Sequence, residues 1–172
     1  RRLLPQKRGM NTMKVEDILG FQEFGLVTVR VNNLLSDAVI LMADKDIGSV
    51  VVVDDHGKLT GMLTFREVIK ILAKRQLENR TGETPTMSKI SVAEVMNPNP
   101  TRTNSEMDID ELRRTMNECG ERYLPCVDDG NVKGVVSFHD VARAMLKAQD
   151  FENKLLKAYI QDWPGGENNE EK

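Results

Sequence analysis

The chain carries one segment twice, and this internal duplication limits its possible folds more than any single motif does. Residues 53–68 and residues 127–141 align in register when one gap is placed in the second copy, which is one residue shorter. Such a duplication predicts two copies of one supersecondary unit that pack against each other. The matched positions are Asp54 and Asp128, Asp55 and Asp129, Gly61 and Gly134, Thr64 and Ser137, Phe65 and Phe138, and Glu67 and Asp140.

Weaker matches upstream extend each copy to a longer unit. Residues 15–19 resemble residues 92–96, and residues 35–42 resemble residues 109–116. A unit of this size buries too little apolar surface to be stable alone, so we expect the two copies to form one body. We therefore predict an N-terminal arm, a first repeat, a polar connector, a second repeat, a C-terminal helical extension and a disordered tail, at residues 1–13, 14–75, 76–88, 89–149, 150–163 and 164–172.

The spacing of apolar residues gives the order of elements within a repeat. Residues 27–31 alternate like a short strand, and apolar residues at 34–42 recur at helical spacing. The segments 49–53 and 59–63 predict two further strands around a turn, and a last helix begins at Phe65. The predicted fold class is α+β (α/β), with two pseudo-symmetric β-α-β-β-α repeats packed as one module and a C-terminal helix.

Composition excludes several classes of function. The 172 residues include 24 basic and 27 acidic side chains, and a net charge of -3 gives no electrostatic case for nucleic-acid binding. The mean hydropathy is -0.42, and the aliphatic run at 50–53 is too short for a membrane span, which predicts a soluble protein.

Cysteine and histidine usage predicts a reducing compartment, the cytoplasm, and no metal site. Cys119 and Cys126 have no disulfide or metal-ligand spacing, and His56 and His139 lack ligand companions. The sequence shows neither a nucleophile beside a base nor a Gly-rich loop that could cradle phosphate. We therefore expect a protein that is not an enzyme.

The duplicated Gly-x-x-[Thr/Ser]-Phe-x-[Glu/Asp] element is the best candidate for a functional site. Its hydroxyl residue falls at a helix start, where free N–H groups and the helix dipole attract an anion such as phosphate. Its carboxylate can accept both hydrogen bonds of a ribose diol, and the basic residue before the carboxylate can meet phosphate charge. These residues are Thr64, Arg66 and Glu67 in the first repeat, and Ser137, His139 and Asp140 in the second.

The same spacing has a purely structural interpretation. A serine or threonine followed three residues later by a carboxylate also forms a capping box, in which the two side chains satisfy the first N–H groups of a helix. A repeated fold repeats its caps as well, so duplication alone does not decide between a nucleotide site and a pair of caps.

The paired units resemble tandem CBS domains, the Bateman module. The resemblance rests on Val95-Met96-Asn97 with two following prolines, on the strand at 122–127, on 127–130 and on 134–140. Residues 153–161 are similar to the ending of stand-alone CBS-pair proteins in bacteria and plant organelles. The resemblance implies a regulatory module that binds AMP, ADP, ATP, NAD or S-adenosylmethionine, forms a homodimer and passes its ligand state to a partner protein.

The resemblance also implies where an adenine base lies, between the first strand of a repeat and the strand before the turn. Glu67 departs from the aspartate usual in the family and can crowd a ribose, so the second site is the better candidate. Tyr123 has core packing as an equal alternative. The implied second site is Thr101, Thr103, Tyr123, Leu124 and Pro125 with Ser137, His139 and Asp140; the implied first site is Thr28, Ser49 and Val50 with Thr64, Arg66 and Glu67.

Another hypothesis remains open at this stage, a ligand-free dimeric interaction scaffold in which both elements are only caps. Its support is the complete capping box at Thr64 and Glu67 together with the apolar faces of the helices. The C-terminal helix carries a further apolar stripe that either folds back onto the pair or meets its counterpart in a dimer. This stripe is Phe151, Leu155, Leu156, Tyr159 and Ile160.

Overall fold

The computed structural model describes residues 12–78 and 86–161. Most of the predicted N-terminal arm, the middle of the predicted connector and the whole predicted disordered tail lie outside the described residues. The two predicted repeats and most of the predicted helical extension lie within them.

The first repeat contains the predicted order of strand, helix, strand, strand and helix, preceded by a short helix. Strand β2 is central in a three-stranded sheet, parallel to β1 and antiparallel to β3. All four valines of β2 are buried, as expected for a β-branched run covered on both faces. The elements are α1 (Val15–Gly20), β1 (Thr28–Arg30), α2 (Leu35–Asp44), β2 (Ser49–Val53), β3 (Leu59–Thr64) and α3 (Phe65–Glu78).

The second repeat follows the same plan with a weaker first strand. Thr103 pairs with the neighbouring strand through two backbone hydrogen bonds, of 3.0 Å to the Pro125 carbonyl and 2.9 Å from the Val127 N–H, and forms an isolated bridge. In the first repeat Val51 N–H donates to the Val27 carbonyl at 3.1 Å, but its counterpart Pro125 has no N–H to donate. The elements are α4 (Ile109–Cys119), β4 (Tyr123–Asp128), β5 (Asn131–Ser137) and α5 (Phe138–Gln161).

The N-terminal segment of each repeat packs into the core of the other repeat. Val15 and Ile18 of α1 are buried with Leu112, Leu124 and other residues of the second repeat. Ile90 and Val92 are buried in turn with residues of the first repeat.

Backbone hydrogen bonds fix this exchange at equivalent positions. Val15 N–H donates to the Met107 carbonyl at 2.9 Å, and Val92 N–H donates to the Asn33 carbonyl at 2.8 Å. The two repeats therefore interlock, and each depends on the other for its core.

A third buried cluster joins the two sheets. Val51, Val53 and Met62 of the first repeat pack with Val132 and Val135 of the second, and Tyr123 lies at the edge of this cluster. The two sheets therefore pack against each other along one seam, and Tyr123 lies beside it.

Helix α5 continues well beyond the body of the second repeat. Val141 and Ala144 are its buried residues, whereas the apolar side chains after residue 150 are between 55% and 69% exposed. The predicted C-terminal helical extension is thus present, and it does not fold back onto the described part of the chain.

Candidate functional site

The end of β5 and the start of α5 bring Ser137 and Asp140 together in a reciprocal cap. The Ser137 N–H donates to Asp140 Oδ2 at 2.9 Å, and the Asp140 N–H donates to Ser137 Oγ at 3.0 Å. The predicted capping box is therefore formed. It leaves Ser137 and Asp140 at the positive end of a 24-residue helix.

The equivalent cap of the first repeat is bonded differently. The Thr64 N–H donates to Glu67 Oε2 at 2.8 Å, and the Thr64 hydroxyl donates to the same oxygen. The longer Glu67 side chain thus folds back onto Thr64, and one of its oxygens is occupied twice by the cap.

A cleft of about 420 Å³ lies beside Asp140, between the two repeats. We call it the Asp140 cleft. The second repeat contributes the start of α5 and Tyr123, while the first repeat contributes residues 22–27 and residues 46–49. Ligand pockets are commonly ~300–1,000 Å³ in volume, so the Asp140 cleft has room for a small organic molecule.

Gln22 connects the first repeat to Asp140. Its Nε2 donates to Asp140 Oδ2 at 3.0 Å and to the Val135 carbonyl at 2.7 Å. Among the described residues, the other carboxylate oxygen, Asp140 Oδ1, has no hydrogen-bond partner. Asp140 is consequently held by one oxygen and can offer the other to a ligand.

The pseudo-symmetric position beside Glu67 is nearly filled. The Glu67 cleft, lined by Thr64, Arg66 and Glu67 among others, measures about 30 Å³, which is roughly the volume of one water molecule. Met62 and Asn97 close it through two backbone hydrogen bonds of 2.9 and 2.8 Å.

The length of one connection explains the difference between the two clefts. Seven residues, 20–26, separate Leu19 from Val27 in the first repeat, whereas four residues, 97–100, separate the aligned Met96 from Thr101 in the second. The short connection lies directly against β3, where a Cβ on Gly61 would come within 2.6 Å of the Asn97 carbonyl oxygen. The long connection instead forms the wall of the Asp140 cleft.

Tyr123 lies where the two clefts approach each other and lines both of them. Its ring meets Phe65 edge-on, with centroids 6.0 Å apart. Only glycine fits at position 48, because a Cβ there would lie 2.0 Å from the Tyr123 hydroxyl oxygen. Burial raises the pKa of Tyr123, with Arg122 opposing and Asp140 adding to the rise, so the phenol stays protonated near neutral pH.

Basic side chains lie near the starts of α3 and α5. Arg143 Nη2 and His139 Nε2 are 3.0 Å apart, and both residues line the Asp140 cleft. Arg66 instead donates to the Gly120 carbonyl at 3.0 Å, and its guanidinium is held against the second repeat. The Asp140 cleft therefore has a basic edge next to its carboxylate.

The structure groups the predicted site residues differently from the two sites that we assigned from the sequence. Ser137, His139, Asp140 and Tyr123 share the Asp140 cleft as predicted, but Ser49, which we assigned to the first site, lines the Asp140 cleft too. Thr64, Arg66 and Glu67 share the Glu67 cleft. The remaining predicted residues line neither cleft: Thr28, Val50, Thr101, Thr103, Leu124 and Pro125.

Those remaining residues have structural surroundings of their own. Val50 and Leu124 are buried in the cores of their repeats. Thr103 is 3% exposed and its hydroxyl contacts Met107 Sδ at 3.1 Å. The Thr101 N–H donates to Glu121 Oε2 at 3.0 Å, and Thr28 is exposed on β1. The side chains of Val50 and Leu124, on the central strands, thus lie in the cores and not in a cleft.

Gln22 and the rest of the long connection were missed by sequence reasoning. The signal that could have found them is the extra length of residues 20–26 when the two repeats are aligned. A longer connection at one of two equivalent positions predicts that the two sites differ.

Two further findings concern metal binding and membrane spanning in the described part of the chain. Within residues 12–78 and 86–161, no group of three or more histidine, cysteine, aspartate or glutamate side chains is arranged to hold a metal ion. Among the same residues, no helix is both long and apolar enough to cross a membrane.

Comparison with known proteins identifies the family. The model of the CBS domain matches the chain twice, at residues 21–74 and at residues 92–147. The chain therefore belongs to the CBS domain family and contains two CBS repeats. The predicted CBS pair and the predicted fold class are confirmed.

Individual relatives agree with this assignment. The CBS domain-containing protein YhcV of Bacillus subtilis is 32% identical over 117 residues, which cover 68% of this chain and 76% of YhcV. The CBS domain pair of protein MJ0100, solved with 5'-methylthioadenosine and S-adenosyl-L-methionine, is 25% identical with a TM-score of 0.64 and covers 77% of this chain and 99% of its own. CBSX2, solved with AMP, is 24% identical with a TM-score of 0.62, covers 77% of this chain and 97% of its own, and shows the same fold.

Proposed function

We propose that this protein is a regulatory module that binds one adenosine-containing ligand in the Asp140 cleft and passes its ligand state to a partner protein. The observation that carries the proposal is the open cleft of about 420 Å³ beside Asp140, whose Oδ1 has no hydrogen-bond partner within residues 12–78 and 86–161. MJ0100, which shares the fold, was solved with two adenosine compounds, so a ligand of this class is compatible with the architecture.

The residues of the Asp140 cleft suit the parts of an adenosine ligand. Asp140 accepts hydrogen bonds from the ribose diol. His139 and Arg143, together with the positive end of α5, favour a phosphate or carboxylate on the 5' side. The start of β2, including Ser49, supplies main-chain groups for the base. AMP, ADP, ATP, NAD and S-adenosylmethionine all remain candidates for this site.

We propose that the Glu67 cleft binds no nucleotide and that the Thr64–Glu67 pair acts as a helix cap. Its carboxylate oxygen already accepts two hydrogen bonds from Thr64, and the space beside it holds about one water. For the first repeat we therefore keep the capping interpretation that belongs to the scaffold hypothesis. It accounts for the contacts of Thr64 and Glu67.

Transmission of the ligand state requires that the ligand favour one arrangement of the two repeats. The Asp140 cleft is built from both repeats, so a bound ligand contacts both and can stabilise one relative position by its differential affinity. We propose that the chain itself is not an enzyme and that another chain carries the regulated activity.

We further propose that the protein forms a homodimer through the exposed apolar faces of its helices. Many exposed large apolar side chains on the helices are typical of an interaction site. Sedimentation velocity should then give twice the 19.4 kDa of one chain, and a single monomeric species would contradict the proposal. The exposed large apolar side chains are Phe65, Ile69, Leu72 and Leu77 on α3, and Phe138, Leu146, Phe151, Leu155, Leu156, Tyr159 and Ile160 on α5.

A thermal shift series tests the proposed function directly. AMP, ATP, NAD, S-adenosylmethionine and 5'-methylthioadenosine are added separately to the full chain. A ligand that binds only the folded state raises the melting temperature in a concentration-dependent way. At least one of the five should do so, and a flat response to all of them at millimolar concentration would overturn the proposal.

A further inference from the structure

The long connection places an aromatic ring at the edge of the Asp140 cleft. Residues 22–26 of this connection line the cleft, and Phe24 among them is 66% exposed. The equivalent short connection, Asn97-Pro98-Asn99-Pro100, contains no aromatic residue. The connection beside the Asp140 cleft therefore carries an aromatic ring, and the connection beside the Glu67 cleft does not.

A neighbouring phenylalanine on the same connection has a different environment. Phe21 is 54% exposed, but it lies outside the Asp140 cleft, with the Lys147 ammonium 4.9 Å from its ring centroid. Phe21 thus has a partner on α5. Phe24 is the more exposed of the two and faces the space in which a ligand would lie.

Gln22 ties this connection to the carboxylate that would hold the ligand. Its amide bonds both Asp140 Oδ2 and the Val135 carbonyl, at 3.0 and 2.7 Å. The position of the connection, and with it of Phe24, is therefore fixed relative to Asp140. A ligand that bonds Asp140 Oδ1 would be brought next to Phe24.

We propose, on the basis of the proposed function, that the long connection forms the base-binding surface of the site, with Phe24 stacking on the purine base and Gln22 positioning Asp140. A flat π-system next to an exposed aromatic side chain is a favourable pair, and stacking tolerates any purine face. The ligand class is accordingly a nucleoside compound whose base is unsaturated and planar, held by its ribose at Asp140.

Calorimetric titration of four forms of the full chain tests this inference. Wild type, Phe24→Ala, Phe24→Trp and the matched control Phe21→Ala are titrated with AMP and with 5'-methylthioadenosine. Phe24→Ala should weaken binding roughly tenfold, as removal of a stacking ring does in other nucleotide sites. Phe21→Ala should bind like wild type, because it removes an exposed ring of the same connection that lies outside the cleft.

The Phe24→Trp variant supplies a readout that a merely structural role would not give. It should retain the affinity of wild type, and nucleotide should quench the emission of the added indole. If wild type binds and Phe24→Ala matches it in affinity, the inference is overturned while the proposed function stands. If wild type binds neither compound, the proposed function fails and this inference fails with it.

Discussion

The Asp140 and Glu67 clefts begin from the same sequence element and end with very different space. Each lies at a strand-to-helix junction with a hydroxyl residue and a carboxylate three positions later, and each carboxylate caps its helix. One cleft measures about 420 Å³ and the other about 30 Å³.

The motif itself does not set this difference. The difference comes from a connection that is seven residues long on one side and four on the other. In a duplicated fold, the motif thus marks where a site can be, and the neighbouring connection decides whether it is open.

The largest expected effect is an unequal response of the two carboxylates to substitution. Asp140→Asn should weaken binding of an adenosine ligand roughly tenfold to a hundredfold, because it removes a charged acceptor of ribose hydrogen bonds. Glu67→Gln should leave the affinity unchanged. Calorimetric titration measures both, and an equal loss in the two variants would show that the clefts are functionally alike.

A second comparison sets the crowded Gly48 against the uncrowded Gly20. Gly48→Ala places a methyl group 2.0 Å from the Tyr123 hydroxyl oxygen, so Tyr123 must move. We expect a loss of about 1–3 kcal/mol in the free energy of unfolding, as for other overpacked sites. Gly20→Ala is the control, since a Cβ there meets nothing within 4 Å.

Chemical denaturation measures both glycine variants. The double variant Gly48→Ala/Tyr123→Ala should lose less stability than the sum of the two single changes, because the clash is absent from it. A strictly additive result would contradict the role assigned to the Gly48–Tyr123 contact.

The smallest expected effect concerns two equivalent aspartates after the central strands. A hydrogen bond from the Ser105 hydroxyl lowers the pKa of Asp128, and the Lys58 N–H lowers the pKa of Asp54. A lowered folded-state pKa contributes stability above the unfolded value of about 3.9, and this contribution is lost as pH falls through the folded-state pKa.

Acid unfolding followed by circular dichroism separates the two aspartates. Asp128 bonds a residue on the loop before α4, whereas Asp54 bonds the N–H groups of its own turn. Asp128→Asn should therefore lower stability at neutral pH more than Asp54→Asn, and both should flatten the acid limb. A larger loss for Asp54→Asn would count against this account.

The sequence predicts much of the fold because the repeat and its apolar spacing are local features. The buried valine run of β2, the order of strands and helices along the chain and the long C-terminal helix all follow from periodicity. The packing of Val15 and Val92 into the opposite repeats does not, since local periodicity carries no information about which neighbour covers an apolar face.

The candidate site was predicted only in part for the same reason. Ser137 and Asp140 are three residues apart in sequence and were found together, as the capping geometry requires. Ser49 and Gln22 reach the Asp140 cleft from the other repeat, through contacts that only the docking of the repeats creates. Val50 and Leu124 lie on β2 and β4 next to Ser49 and Tyr123, but their side chains are buried in the cores.

A crystal structure of the full chain soaked with AMP or 5'-methylthioadenosine tests the central claim most directly. The account predicts one ligand per chain, with its ribose at Asp140 Oδ1 and its base near Ser49, and no ligand beside Glu67. A ligand bound beside Glu67, with the Asp140 cleft empty, would contradict it.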